Sequence, residues 1–399
     1  MVRFRETVAL IRHNRFGLLF ISDAISNIGD WLSLIALMIL SYEETASPMG
    51  VSGILIARAI PTLFLGIYAG AVADRVSRKK IVIISNFLRG ITILPLVFTR
   101  DPLVLYPVAF MVAALGSFFN PSIEASLPGL VGEKRITRAN SWLNGGKTIA
   151  MILGPALAAI SIQYLGIHTT FLLDAISFVF FAILLLFVPI TSKTALQEYE
   201  RRGVLEEIKE GFQFIGLNKI ILKILLSYGV AFCAMGALGT LELVFCSEIL
   251  KVDTHIYGKI VAIAGVGALA GSIVCAGVVK EKVMRLYILG IILFGLGIFL
   301  FSFQTVLLAT IPFLLMEGVG ESFFSICGRS YLQHETPNAM LGKTMGIRDL
   351  MEKFGMLSGM FLAGILATYI DVKLILMGFG ILLILSNMGM ILNGFWKRA

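Results

Sequence analysis

The chain has 399 residues, of which 57% are hydrophobic and 15% charged, and its mean hydropathy is +0.90. This composition excludes an ordinary soluble domain and predicts an integral membrane protein. The formal net charge of +8 indicates topology and contact with lipid headgroups first, and no nucleic-acid-binding motif suggests another use for it.

Twelve apolar segments are each long enough for a helix that crosses the bilayer, which needs roughly 20 residues. With the N-terminus inside, most Lys and Arg residues fall on cytoplasmic segments or helix ends, so both termini are predicted to be cytoplasmic. No small-residue cleavage site follows the first apolar run, so a cleaved signal peptide is not expected. The segments lie at about 15–41, 49–73, 81–99, 103–127, 143–165, 169–190, 220–248, 256–279, 285–303, 305–327, 347–370 and 372–395.

Charged residues inside these segments are candidate functional groups, because a charge at mid-bilayer costs roughly 2.5–3.5 kcal/mol on insertion scales. In the first segment, Asp23, Asn27 and Asp30 share one helix face. Asp30 and Arg58 are expected at similar depth. One hypothesis is that they pair and separate as Asp30 takes up a proton, and the alternative is a permanent ion pair. Arg89 in the third segment could hold an anionic group, Asp23 or a helix-end carbonyl.

The stretch 66–80, between the second and third apolar segments, combines two glycines on one helix face with a cluster of charges. Gly66 and Gly70 would let a neighbouring helix approach closely. The acidic residue that follows is placed to cap or pair, and the cations keep this end on the cytoplasmic side.

This stretch resembles the signature of the major facilitator superfamily, which follows the second membrane helix of those transporters. Ser77 stands where the signature has a glycine. The other signature residues are present as Gly70, Asp74, Arg75, Arg78 and Lys79.

Further matches along the whole chain, denser in its first half, resemble the macrolide-efflux and siderophore-exporter branch of that superfamily. The resemblance implies secondary transport without a cofactor, usually export driven by proton entry. Because Asp174 belongs to one of the matching motifs, the resemblance favours a structural role for it over a catalytic one. The matching motifs are Gly29-Asp30-Trp31, Ala57-Arg58, Pro61, Asn120-Pro121, Ala139-Asn140, Gly154-Pro155 and the Asp-Ala-Ile-Ser-Phe run at 174–178.

The long polar stretch 191–218 predicts a cytoplasmic linker, partly an amphipathic helix on the membrane, between two halves at 1–190 and 219–399. The halves repeat: residues 114–119 match 319–324, and Gly66 and Gly70 match Gly267 and Gly271. The resemblance therefore implies an all-α membrane protein of twelve transmembrane helices, built as two pseudo-symmetric six-helix bundles with the substrate path between them.

In the second half, Glu317 and Glu321 lie one turn apart, and two like charges at this spacing do not ionise together easily in a low dielectric. This suits a proton carrier or a binder of cationic drugs, and pairing with another helix is the alternative. Glu242 is a weaker cavity candidate, because water is expected to reach it.

Two groups of charges at the inner helix ends are candidates for a gate. Glu124 is expected either to meet Arg75 or Arg78 as a latch or to be a solvated helix end. The eleventh segment predicts two pairs at i, i+4 spacing that would open with the gate. These pairs are Arg348 with Glu352 and Asp349 with Lys353.

Patterns typical of other functions are incomplete. Two Gly-Lys-Thr triplets, at 146–148 and 342–344, lack the preceding glycine and strand of a phosphate-binding loop. The four histidines lie in separate loops without metal-ligand spacing, and the four cysteines show no CxxC spacing. Neither an enzyme nor a metal site is predicted.

The sequence therefore predicts an alternating-access secondary transporter of a bacterial-type inner membrane that exports an amphipathic, drug-like compound in exchange for protons. Its expected partners are that compound, protons and membrane lipids, and a monomer is expected. One alternative is an uncoupled lipid or lysolipid flippase, which needs no pH gradient. Another is a non-transporting sensor, which the absence of a soluble domain and the midplane carboxylates disfavour.

Overall fold

The computed structural model describes residues 14–132, 135–188 and 204–392. Within these ranges the regular secondary structure is helical and contains no β-strand. The helices are α1 (Asn14–Thr45), α2 (Pro48–Arg75), α3 (Arg78–Ile93), α4 (Pro102–Val131), α5 (Ile136–Leu165), α6 (Ile167–Leu186), α7 (Val204–Leu217), α8 (Lys219–Glu248), α9 (Tyr257–Ala276), α10 (Val283–Phe301), α11 (Leu307–Ser322), α12 (Gly328–Glu335), α13 (Asn338–Leu366) and α14 (Val372–Leu392).

A π-helix, Phe323–Cys327, joins α11 to α12, so that these pieces form one continuous rod. The twelve predicted apolar segments coincide with α1–α6, α8–α10, this rod, α13 and α14. Ten described helical stretches are long and apolar enough to cross a membrane, and α14 contains the shorter apolar stretch Val372–Met388. The all-α membrane fold is thus confirmed, and α13 departs from the apolar pattern because its first half carries several charges.

Helix ends are set by local chemistry. Asp101 caps α4 by accepting a hydrogen bond from the backbone N–H of Leu103 at 2.9 Å, and Pro102 follows at a position where a missing N–H has no cost. Gly132 and Gly166 terminate α4 and α5 with φ angles of +77° and +83°, which residues with a Cβ rarely adopt.

The chain divides into two compact units, unit 1 (residues 1–46, 53–197 and 255–262) and unit 2 (residues 47–52, 198–254 and 263–399). Within unit 1, α1 packs on α5 and α6, while α3 packs on α4 and α6. Within unit 2, α8 packs on α13 and α14, while α10 packs on α11 and α14. The same packing pattern therefore occurs in both, as expected of the predicted repeat.

The second half of the predicted glycine repeat makes close helix contacts. A Cβ on Gly267 of α9 would lie 2.9 Å from Cα of Leu315 on α11, and one on Gly271 would lie 2.9 Å from Cβ of Ser322. The side chain is therefore excluded at both positions, as small-residue packing requires. Their predicted counterparts, Gly66 and Gly70, fall outside the residues whose packing is described.

The linker region is described from Val204 onward and contains the predicted helix, α7. This helix packs on α13 within unit 2, where Lys343 donates a short hydrogen bond to Glu210. Residues 191–203 lie outside the described ranges, so the domain boundaries at 190 and 219 remain a prediction.

Candidate functional site

Three charged side chains from three helices of unit 1 meet at one point. Arg89 of α3 donates a short hydrogen bond from Nη2 to Oδ1 of Asp30 on α1. Nη2 of Arg58, on α2, lies 3.7 Å from the same oxygen. The predicted contact between Asp30 and Arg58 is therefore formed as an ion pair, but Arg89 is the closer partner.

Arg89 is held firmly by its surroundings. Its guanidinium lies 4.0 Å from the ring centroid of Phe178 on α6, a cation–π contact. A Cβ on Gly116 of α4 would lie 3.5 Å from Cζ of Arg89, so the guanidinium packs close to the helix backbone there. Arg89 contacts Asp30, whereas the sequence left open an anionic group, Asp23 or a helix-end carbonyl.

A second carboxylate, Asp174 of α6, completes this network and is fully buried. Ser33 of α1 donates a short hydrogen bond to its Oδ2, and the hydroxyl of Ser177 lies 3.3 Å from its Oδ1. Asp174 is within electrostatic range of Asp30, Arg58 and Arg89. Its hydrogen bond to Ser33 joins α1 to α6, which agrees with its structural interpretation.

Several of the motifs that carried the family resemblance lie together around this network. Gly29 has no room for a Cβ, which would contact the Asp174 carboxylate and the Ser177 hydroxyl. Trp31 occupies the space left by Gly154 on α5, where a Cβ would lie 2.8 Å from Cγ of the indole. The sequence analysis missed Ser33 and Ser177 as partners of Asp174, although Ser177 belongs to the motif that it singled out.

A cavity of about 480 Å³ opens beside the network, entirely within unit 1. Asp30, Arg58 and Arg89 are the charged residues among those that line it. Nη1 of Arg58 and Nε of Arg89 have no hydrogen-bond acceptor among the described residues. The rest of the lining is Ser26, Asn27, Trp31, Leu34, Thr62, Ala113, Gly116, Ser117, Phe119 and Pro121.

Asp23 opens onto a different, smaller cavity of about 270 Å³, which Glu124 and Lys147 also line. The Asp23 side chain is only 2% exposed, and its Oδ2 has no hydrogen-bond partner in the described part. Asn27 donates from Nδ2 to the backbone carbonyl of Asp23 at 2.6 Å. Asp23, Asn27 and Asp30 thus share one face of α1 as predicted, but Asp23 and Asp30 line separate cavities.

Unit 2 contains a group of carboxyls in which Glu242 of α8 and Glu317 of α11 are buried and Glu321 of α11 is half-buried. Glu242 and Glu321 are the charged neighbours of Glu317. Glu317 is 5% exposed, and neither its Oε2 nor Oε1 of Glu242 has a hydrogen-bond partner among the described residues. None of the three forms an ion pair within the ranges that the structure covers, so the alternative of pairing with a cation on another helix is not realised.

The expectation that water reaches Glu242 was wrong. Its side chain is 6% exposed, because every residue from 240 to 246 on this part of α8 is buried. Glu242 is thus a second enclosed carboxyl.

Only part of the predicted inner gate can be compared with the structure. Lys79 donates from Nζ to the carbonyl of Leu186 at the C-terminal end of α6, at 2.8 Å. Arg78 is half-buried, and Glu124 is exposed. The packing around Gly70 and the side chains of Asp74 and Arg75 lie outside the described part, so the latch between Glu124 and the loop cations remains a prediction.

One of the two predicted pairs on α13 is formed. Arg348 donates a short hydrogen bond to Glu352, and its Nη1 lies 2.9 Å from Oδ1 of Asp349. Asp349 therefore pairs with its neighbour, and the predicted pair with Lys353 is absent from the described residues. Arg348 itself is buried, 5.2 Å from the ring centroid of Tyr228 on α8.

Comparison with known proteins identifies relatives over the whole chain. The family described as "Transmembrane secretion effector" matches residues 5–395. The MFS-type transporter YfiS of Bacillus subtilis is 27% identical over 396 residues, which cover 94% of this chain and 92% of YfiS. The staphyloferrin A transporter of Staphylococcus aureus is 26% identical, with coverages of 82% and 83%. Macrolide efflux protein A of Streptococcus pyogenes is 23% identical, with coverages of 53% and 54%.

Solved structures show the same fold. The nucleoside transporter NupG, in the crystal structure of a point mutant, aligns with a TM-score of 0.79 and 15% sequence identity, covering 95% of this chain and 100% of NupG. A likeness at this level of identity concerns the fold and not the substrate.

Proposed function

Because this chain belongs to the transmembrane secretion effector family of the major facilitator superfamily, whose members are transporters and not enzymes, we propose that it exports an amphipathic organic compound in exchange for protons. In alternating access, the transporter opens to one side of the membrane and then to the other, and binding of the substrate or a proton shifts the balance between these two conformations. The excess of Lys and Arg on one side supports an inner-membrane orientation with both termini cytoplasmic.

The enclosed carboxyl of Glu317, which has no cation partner among the described residues, is the observation that supports coupling to protons. A buried ionised carboxyl needs a cation, hydrogen-bond donors or water, whereas a neutral one can remain enclosed. Glu317 has no such cation among the described residues, and the carboxyls of Glu242 and Glu321 are its charged neighbours. Its charge state is therefore linked to whether this part of α11 is enclosed or open to water, as a coupling residue requires.

Asp30 fits the coupling role less well. It has Arg89 at hydrogen-bond distance and Arg58 nearby, so its charge is neutralised where it lies. Its protonation during transport remains the second hypothesis.

The unit 1 cavity supports the other half of the proposal, a small organic substrate. Its volume of about 480 Å³ lies in the range of roughly 300–1,000 Å³ that small-molecule pockets occupy. Apolar side chains of Trp31, Leu34 and Phe119 share its wall with polar groups. The family description and the name of the streptococcal relative both support outward transport.

The test uses everted membrane vesicles with a respiration-driven pH gradient, screened with macrolides, cationic dyes, siderophores and lysolipids. A transported compound collapses the gradient in the wild type, and Glu317→Gln removes the response. The matched control is Glu335→Gln, the same chemical change at an exposed position on the same helical rod, which keeps it. Asp30→Asn tests the second hypothesis in the same assay.

A response that survives Glu317→Gln unchanged would exclude Glu317 as the carrier. Transport of a lysolipid without any effect on the gradient would favour the uncoupled flippase.

A further inference from the structure

Arg58 is the loosely held cation of the unit 1 cavity. Its Nη2 lies 3.7 Å from Asp30, beyond the range of about 2.7–3.2 Å for a hydrogen bond. Its Nη1 is enclosed in the protein and has no acceptor among the described residues. The side chain is still 20% exposed and lines the cavity. A guanidinium carries five N–H donors, and leaving them unpaired in a membrane interior is unfavourable.

The carboxyls nearest to Arg58 each have a closer hydrogen-bond donor. Asp30 already accepts the short hydrogen bond from Arg89, which Phe178 keeps in place. Asp174 accepts from Ser33 and does not line the cavity. The charged residues that line the cavity are thus two guanidiniums and one carboxylate, and the fourth charged group of the network, Asp174, lies behind them.

The neutral polar groups of the wall cannot replace a cation in binding an anion. The hydroxyls of Thr62 and Ser117 donate to carbonyls of their own helices, at 2.7 and 3.0 Å, which leaves them only lone pairs to offer a ligand. Asn27 donates one amide N–H to the Asp23 carbonyl, and Ser26 and Trp31 add a hydroxyl and an indole N–H to the wall. These donors are neutral, so Arg58 is the main charged donor for a ligand.

We propose that Arg58 binds a carboxylate of the exported compound, so that the substrate class is an amphipathic monocarboxylate. A carboxylate matches the planar fork of a guanidinium, and its single negative charge complements a wall that carries two guanidiniums beside one carboxylate. Trp31, Leu34 and Phe119 line the same cavity and form the surface for the apolar part. A dianionic group such as a phosphate monoester fits less well, because Asp30 lies beside Arg58 and would repel the second charge. This assignment rests on the proposed export function and names its substrate class.

The experiment compares an anionic probe, dansyl-phenylalanine, with its neutral and nearly isosteric amide, dansyl-phenylalaninamide, on the purified full-length protein. Trp31 lines the cavity, so a bound dansyl group accepts excitation energy from it, and the part of the signal that Trp31→Phe removes reports this site. We expect the acid to bind the wild type about ten-fold or more tightly than the amide, as one charge-assisted contact implies. Arg58→Met should reduce this preference to within about two-fold, whereas Arg58→Lys should keep part of it.

The control is Arg100→Met, which removes a cation that is half exposed beside Glu43 and Glu44, and it should leave the preference unchanged. Equal affinity of acid and amide for the wild type would overturn the proposal. The absence of any Trp31-dependent signal with either probe would also overturn it. Persistence of the preference in Arg58→Met would do the same. The wild-type comparison and Arg58→Lys decide the outcome even when Arg58→Met does not fold. Binding is measured without a pH gradient, so its result is independent of whether the export proposal stands.

Discussion

Replacing Gly29 with alanine should destabilise unit 1 through the contact between α1 and α6. The added Cβ would lie 3.3 Å from Cβ of Ser177 and closer still to the Ser177 hydroxyl and the Asp174 carboxylate. Asp174 is fully buried and bonded to Ser33, so it cannot move away without breaking that hydrogen bond. Overpacking of this kind costs about 1–3 kcal/mol, and displacing a charge-assisted hydrogen bond adds to it.

The matched control is Gly145→Ala on α5, where nothing lies within 4 Å of the added Cβ. Alanine is the better helix former by about 0.8–1.0 kcal/mol, so this control should unfold at the same temperature or higher. The assay is thermal unfolding of each purified variant in the same detergent, followed by intrinsic fluorescence. Equal unfolding midpoints for the two variants would refute the close packing inferred for Gly29.

Two further predictions rest on matched pairs of residues. Arg89→Met should destabilise the protein by about 3–5 kcal/mol, because it leaves a carboxylate without its buried partner. Arg100→Met should cost less than about 1 kcal/mol, since its ion pairs are exposed, and thermal unfolding compares the two. Tyr228→Phe should cost about 1–3 kcal/mol, because it leaves the Ser325 carbonyl of the π-helix without its donor at 2.6 Å. Tyr287→Phe, whose hydroxyl donates over 3.3 Å, should cost less in the same measurement, and a reversed order would contradict this account.

The spans and the charged candidates could be predicted from the sequence, because apolar length and rare charges are properties of each segment alone. The closest ion-pair partner of Asp30 could not be predicted in this way. Depth placed Arg58 beside Asp30, but the rotation of α3 about its own axis, which brings Arg89 closer, depends on packing against Phe178.

The same limit explains the errors in unit 2. The burial of Glu242 depends on which face of α8 points inward, and its position along the helix does not reveal that face. The i, i+4 spacing allowed Asp349 to pair with Lys353, yet the adjacent Arg348 lies at 2.9 Å. The link between Gly29 and Asp174 joins α1 to α6, and no local pattern in either segment contains it.

The central claim, export in exchange for protons through Glu317, is tested most directly in proteoliposomes that contain the purified protein and an imposed pH gradient. The compound would be the one that gives the strongest response in everted vesicles. The account predicts that the gradient drives its accumulation, that Glu317→Gln abolishes this accumulation, and that Glu335→Gln does not. Accumulation that is the same with and without the gradient, or unchanged in Glu317→Gln, would contradict it.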